Sequence, residues 1–502
     1  MQTIFLWQKK FFSVLYTLVK DVSKLNKKQK INLNIQERQM IKAPIVEALQ
    51  NAYDNPTYQF HIPGHTKGKA VYKDFKKLIG ERALTVDTTD EFDNLGTLHP
   101  ASGPIKEAQE LAAEAFGAQK TFFLLNGSTA GNLAIGMALT KKGQKVIINR
   151  NCHRSALTGL MISGAEPVWV SPSKIEDWSI WGSINPSDIE KALKENDDVG
   201  LVWITNPTYE GVVSDVKAIS AICKKYNVPL AVDEAHGCLW NFSSHLPQSA
   251  LKLGADVVVH SLHKTGGSMS QSSMLHIANN SMVNPDNVEK ALKLLHTTSP
   301  SLMLLGSLDA SRAFLQSQSG LNMLERAIKN AKYLRKRLDN IPNLHQLKND
   351  FGYSTDVTKV FIKIDGLSGK RLESILEIDF GIEVESASDI GVLILCNLGN
   401  KHSDFVYLAD ALEKIASSNH KDLYYLENRK HMPMIEPKIV MSLRDAYYAD
   451  KEIIKKEDAI GRISAEVIAE CPPGISILLP GELITEAHLP YLNDYETLEV
   501  VR

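Results

Sequence analysis

Ala255-Asp256-Val257-Val258-Val259-His260-Ser261-Leu262-His263-Lys264-Thr265-Gly266-Gly267 reads as a buried strand that runs straight into small, polar and flexible residues. The lysine just past the strand end has two readings. Lysines are mostly exposed, so a solvated loop residue is the ordinary one. The sharper reading is a Schiff-base lysine whose amine is kept partly uncharged by burial and a nearby cation. What else the chain supplies decides between them.

Outward from this stretch, short apolar runs alternate with helical patterns. Strands are predicted at Gln144 to Asn149, Pro167 to Val170, Gly200 to Thr205 and Pro229 to Val232, with helices at Leu133 to Thr140, Val216 to Tyr226 and Ser249 to Leu253. Such alternation predicts an α/β fold, a mainly parallel sheet with helices on both faces. Ligands of such sheets bind beyond the carboxyl ends of the strands. The polar clusters all fall at such ends: Asn126-Gly127-Ser128-Thr129-Ala130, Asn151-Cys152-His153-Arg154-Ser155, Asn206 to Gly211, Asp233-Glu234-Ala235-His236, and the segment around Lys264. That coincidence is the strongest structural argument in the sequence.

Asp286 to Leu338 reads as helical, with breaks near Pro300 and Gly320. Beyond Pro342 the pattern changes to a strand at Val357 to Ile364, a helix at Gly369 to Phe380 and strands near Gly381 to Val384 and Val392 to Leu395. Lys451 to Ala469 reads as helix. The expected organisation is an extension over 1–40, a major domain over 41–335 and a smaller α+β domain over 336–502. Ile4, Trp7, Phe11 and Leu18 recur at helical spacing within the extension, and lysines follow. An oligomer-contact arm, an interfacial basic helix and a targeting peptide all remain open for it.

A net charge of −2 over 502 residues gives no global argument for nucleic acid or an acidic membrane surface. No apolar run approaches the roughly 18–20 residues that span a bilayer. The five cysteines are dispersed without a CxxC pair, which fits reduced thiols and a cytoplasmic location. His61 and His65 are four apart, but Pro63 and Gly64 forbid the regular helix that would make them joint ligands, and no metal is expected. Asp87, Asp90, Glu91 and Asp93 form an acidic loop that is either solvated or attracts a cationic substrate.

The Ser128-Thr129 turn is an ordinary helix cap or a phosphate seat. Asp233 ends one buried strand, and Lys264 follows 31 residues later at the end of the next. Together these are the parts of a pyridoxal phosphate site: a carboxylate for the pyridine nitrogen, an amine for the aldehyde and a seat for the phosphate. His153 follows its own strand and is placed to stack on the ring.

At this point the chain resembles the fold-type I, pyridoxal phosphate-dependent ornithine/lysine/arginine decarboxylases, in the short form without an N-terminal wing domain. The resemblance covers about residues 41–495. It rests on Phe60-His-Ile-Pro-Gly-His65, Gly103-Pro-Ile-Lys-Glu-Ala-Gln109, Asn126-Gly-Ser-Thr129, Asn149-Arg-Asn-Cys-His-Arg-Ser155, Asp233-Glu-Ala-His236, Ser261-Leu-His-Lys-Thr265 and Cys471-Pro-Pro-Gly-Ile475. It implies that Lys264 bonds the cofactor, Asp233 pairs with the pyridinium nitrogen, His153 stacks on one ring face and Ala235 packs on the other. Ser128, Thr129, Ser261 and His263 would hold the phosphate beside Gly127 and the Ala130 amide, and His236 is a further cofactor-binding residue. His263 or Lys264 would return the proton. Ala130 and Cys471 depart from the pattern of some relatives.

The implied reaction is decarboxylation of a basic L-amino acid, with arginine (to agmatine) ranked before lysine and ornithine, in polyamine biosynthesis. A homodimer or larger homo-oligomer is expected, with Glu482 and the acidic loop at 87–93 as candidate readers of the substrate's distal cation, in the same or a neighbouring subunit. The alternatives are another fold-type I activity (transamination or aldol cleavage) and a catalytically silent regulatory homologue. Asp233-Glu-Ala-His236 also spells a helicase box, but the Gly-Lys-Ser/Thr loop which that class needs is missing.

Overall fold

The computed structural model describes residues 41–55, 57–89, 94–349, 354–418, 435, 437–470 and 474–502. The N-terminal extension, Asp90 to Asp93 and Cys471-Pro472-Pro473 lie outside the described residues.

Seven strands form the central sheet: β1 (Ala118–Leu124), β2 (Lys145–Asn149), β3 (Glu166–Val170), β4 (Val199–Thr205), β5 (Leu230–Asp233), β6 (Val257–His260) and β7 (Ser273–Ala278). Their order is β1-β7-β6-β5-β4-β2-β3. The four pairings between β6 and β3 are parallel, and only β7 runs against the rest. Side chains alternate across the sheet. Leu201, Trp203, Ala231, Val257 and Val259 enter one apolar cluster, and Val202, Ile204, Leu230, Val232 and Val258 enter another on the opposite face. Burial on both faces explains why these strands read as unbroken apolar runs.

Helices Gly127–Leu139 and Arg154–Ser163 lie together on one face. They touch where Gly136 meets Gly159: a Cβ on Gly136 would come within 2.5–2.7 Å of the Gly159 backbone. That approach brings two helix N-termini, one behind β1 and one behind β2, to the same end of the sheet.

A third apolar cluster joins the end of helix Gln318–Leu338 to the antiparallel strands β8 (Leu344–Gln346), β9 (Lys359–Ile364), β10 (Ser386–Ala387) and β11 (Val392–Leu395), and to helices Gly369–Phe380 and His402–Ser417. A short pairing of Ser354–Thr355 with Val212–Val213 clasps this unit to the loop behind β4. A fourth cluster forms among residues 459–500.

Two expected elements differ. Residues 451–469 are not one helix: β12 (Lys451–Lys455) pairs antiparallel with Thr497–Val501, one helical turn follows, and β13 (Ile468–Glu470) pairs with β14 (Ile475–Leu478). Gly461, at φ +82°, breaks the helical pattern there, and the paired strand supplies the hydrogen bonds. Gly381 caps its helix in the left-handed conformation, so pairing in the next segment begins only at Ser386 rather than at 381–384.

Candidate active site

The carboxyl ends of β1, β2, β4, β5 and β6 open into one cavity of about 250 Å³. Gly127, Ser128, Thr129, His153, Asp233, Ala235, His236, Ser261, His263 and Lys264 all line it. Asn132, Asn151, Thr205, Pro207, Thr208, Tyr209 and Ile475 complete the wall.

Asp233 lies buried at the end of β5. Its Oδ2 accepts from the Asn132 side-chain amide at 2.8 Å, and its Oδ1 accepts from the Ala235 backbone N–H at 3.2 Å. The same Asn132 amide donates to Ser155 Oγ at 2.9 Å, and that hydroxyl donates to His153 Nδ1 at 2.7 Å. His153 Nδ1 also accepts the Ser155 N–H as cap of its helix. The His153 proton therefore sits on Nε2, and burial holds the imidazole below its ordinary pKa and neutral. One asparagine fixes both the carboxylate and the histidine.

The Ser128 and Ser261 hydroxyls meet at 2.6 Å. Ser128 and Thr129 lie in the first turn of helix Gly127–Leu139, where backbone N–H groups have no intrahelical acceptor. Ala130 departs from expectation. It is buried, does not line the cavity, and its N–H is spent on Asn126 O at 3.3 Å, the first bond of the helix. His263 donates from Nδ1 to Ser272 O at 2.8 Å, and burial lowers its pKa.

Lys264 stands in a single helical turn, Leu262–Thr265, directly after β6. Its Nζ is 2.9 Å from His236 Nε2. His236 is buried, and its Nδ1 lies 3.0 Å from Lys359 Nζ. Lys359 is 2 % exposed at the start of β9, and it donates to Tyr209 O at 2.6 Å. Burial, first of all, pulls the Lys359 ammonium down to about 8.

Sequence reasoning gave no role to Asn132, Ser155 or Lys359. A lysine opening the otherwise apolar run Lys359-Val-Phe-Ile is the signal that was available for the last. Glu482 does not reach the cavity. It is wholly buried and takes hydrogen bonds from the Leu479 N–H at 3.0 Å and from His488 Nε2 at 3.2 Å, so its carboxylate is sealed among local partners. Of the acidic loop, Asp87 is described, and it pairs with His65 Nε2 at 3.2 Å.

A mainly parallel sheet with a lysine, a carboxylate and a hydroxyl-lined helix N-terminus at its carboxyl end defines a fold-type I enzyme. The chain belongs to the Orn/Lys/Arg decarboxylase family: the family's major domain matches residues 43–361 and its C-terminal domain matches residues 426–500. It is an amino-acid decarboxylase.

The chain is 38% identical over 457 residues to an arginine decarboxylase of Bacillus subtilis (89% of this chain, 92% of the relative), and 35% identical over 458 residues to one of Bacillus anthracis (90% and 92%). Among solved structures, lysine decarboxylase A of Pseudomonas aeruginosa superposes with a TM-score of 0.82 at 20% identity, covering 95% of this chain and 82% of that one. This last likeness is one of fold.

Proposed function

We propose that the enzyme decarboxylates a basic L-amino acid, arginine before lysine or ornithine, with pyridoxal 5'-phosphate bound in the cavity around Lys264. The observation that carries this reading is the convergence of Lys264, Asp233 and His153 on one cavity with the Ser128–Ser261 hydroxyl pair.

The residues present fit that cofactor. Ser128, Thr129 and Ser261 offer hydroxyls, and the helix turn offers amides, where a phosphate would sit. Gly127, at φ +65°, leaves this approach open, since a Cβ there would meet nothing within 4 Å. Asp233, its geometry fixed by two donors, would pair with a pyridinium nitrogen, and Lys264 would bond the aldehyde carbon. When bound, the cofactor supplies an electron sink for the pair left by departing CO2. His153, held neutral by burial and fixed at Nδ1 by Ser155, would cover one face of the ring, and Ala235 the other. Lys264 or His263 would hold the proton that replaces the carboxylate.

The ranking of arginine rests on the named relatives: arginine decarboxylases match at 35–38% identity, whereas lysine decarboxylases match at 24–26%. Measuring CO2 release from arginine, lysine and ornithine, with the product amines identified, tests it. Agmatine as the fastest product is expected. Transamination without CO2, or no turnover of any basic amino acid, defeats the proposal in favour of another fold-type I activity or a silent homologue.

We further propose a homodimer or larger homo-oligomer in the cytoplasm, serving polyamine synthesis. Tyr58 (94 % exposed), Phe60 (97 %) and Leu78 (81 %) are large apolar side chains left open to solvent, which supports an interface with another copy. Cys152, Cys223, Cys238 and Cys396 are free and buried, with burial pushing each thiol up to about 12. Sedimentation of the purified protein checks the first point, and a monomer at working concentration sinks it.

A further inference from the structure

His236 stands between two lysines, with Lys264 Nζ 2.9 Å from its Nε2 and Lys359 Nζ 3.0 Å from its Nδ1. A neutral imidazole has one N–H and one lone pair, so it donates to one amine and accepts from the other. An ammonium has no lone pair to offer. The amine that receives the imidazole N–H is therefore uncharged.

The surroundings decide which one. Lys359 also donates to Tyr209 O at 2.6 Å, lies 5.3 Å from the centre of the Tyr209 ring, and has the Asp356, Glu210 and Glu385 carboxylates near it. These favour a cation at Lys359 against its burial, the largest effect on it. The other titratable groups around His236 are His263, His153, Lys264 itself and Tyr209, whose ring packs edge-on at 5.3 Å, none of which is an anion. The carboxylate of the same cavity wall, Asp233, is held by the Asn132 amide and the Ala235 N–H. The positive charge belongs on Lys359, the imidazole proton on Nε2, and the lone pair on Lys264.

We propose that Lys359 is a positioning residue that keeps the Lys264 amine uncharged through His236, the three groups sharing one surplus proton. This rests on Lys264 being the lysine that bonds the cofactor. The shared proton moves without breaking any contact. The Nε2 proton passes to Lys264, making an ammonium, as a Lys359 proton passes to Nδ1; His236 then accepts from Lys264 and donates to Lys359. One proton has crossed the ring, and every donor still has an acceptor. The device suits the chemistry: bonding a carbonyl needs a lone pair on Lys264, while replacing a carboxylate by hydrogen consumes one proton per turnover.

The fold commits backbone to this arrangement. Gly211, at φ +97°, lies against the Lys359 stem, where a Cβ would come within 2.9 Å of it. Asp356 fixes the turn before Lys359 by accepting from Trp240 Nε1 at 2.7 Å and from the Thr358 N–H at 2.8 Å.

The test is the pH profile of Lys264 labelling by formaldehyde and borohydride in the full-length chain stripped of cofactor, read by peptide mass spectrometry. Lys359→Met should move the Lys264 midpoint up by about one pH unit, with about tenfold slower labelling at neutral pH. Lys359→Arg should restore most of the shift. An unmoved midpoint in a folded Lys359→Met chain overturns the proposal. Should that variant not fold, a Lys264 midpoint at the ordinary lysine value in the wild type overturns it equally, and a midpoint well below that value supports it. Added pyridoxal phosphate separates the two readings. If no visible band develops at Lys264 in the wild type, the functional reading itself fails; a band with an unmoved midpoint sinks the relay alone.

Discussion

Asn132 and Asp233 are 101 positions apart, yet the asparagine amide donates to the carboxylate at 2.8 Å. That bond ties the helix behind β1 to the end of β5. Asn132→Ala should remove it and leave a buried carboxylate short of a donor, at a cost of roughly 1–3 kcal/mol. Urea unfolding reads the stability, and cofactor titration reads the binding. A variant as stable and as tightly loaded as wild type contradicts the bond's importance.

Replacing the carboxylate acts on chemistry more than on folding. Asp233→Ala should lower kcat by several powers of ten, each worth about 1.36 kcal/mol of barrier. CO2 release from the best substrate, with unfolding monitored in parallel, is the check. A loss smaller than tenfold in a folded protein rules out the assigned role.

Lys264→Ala should leave a folded chain that never develops the visible absorbance of covalently held cofactor. Spectra before and after borohydride treatment, followed by peptide mapping, decide the matter. A persistent band, or label recovered on another lysine, refutes the assignment.

Acid should weaken the fold through its buried histidines. His99 Nε2 and His296 Nδ1 meet at 2.7 Å, and burial pulls both imidazoles down, His296 to about 4. Below the ordinary value near 6.5 the unfolded chain takes up protons that the folded chain refuses. The contribution of His296 is thus whole above that value and is lost as pH falls toward about 4. Glu210 and Asp309, whose carboxyls burial pushes up, act in the opposite sense. The comparison is therefore between wild type and His296→Gln. The urea midpoint should fall less for the variant between neutral pH and pH about 5. Parallel curves would exclude the pair as a source of acid sensitivity.

Arg150 is buried, and its guanidinium donates to Ser476 O at 2.7 Å and Ile477 O at 3.2 Å. These bonds press β14 against the cavity, and an isolated bridge joins Ile475 to His153. Arg150→Met should cost about 1.5–3 kcal/mol and weaken cofactor binding. Cofactor affinity equal to wild type would show that this wall is dispensable.

How much of this was visible beforehand follows from physical range. The central strands were legible because burial on both faces writes itself as unbroken runs such as Val257-Val258-Val259. The cavity lining was legible because its members stand at strand ends, where position along the chain nearly fixes position in space. Asn132 was hidden inside a helix, and nothing local distinguishes it from a packing residue. Lys359 was hidden further: it meets His236 only because the 354–355 clasp docks one folded unit on another. The helix expected at 451–469 failed for the same reason, since residues 451–455 pair with 497–501 and residues 468–470 with 475–478.

The wall laid down by Ile475 also has a place in time. Lys264 leaves the ribosome's catalytic centre 211 residues before Ile475 is added, which at ordinary rates of synthesis is an interval of roughly 10–40 s. Throughout that interval the growing chain carries the Lys264 amine with one side of the cavity still unbuilt. The site is therefore walled on that side only after a further 211 residues have followed Lys264, and under the proposed function a cofactor would meet its final setting no earlier.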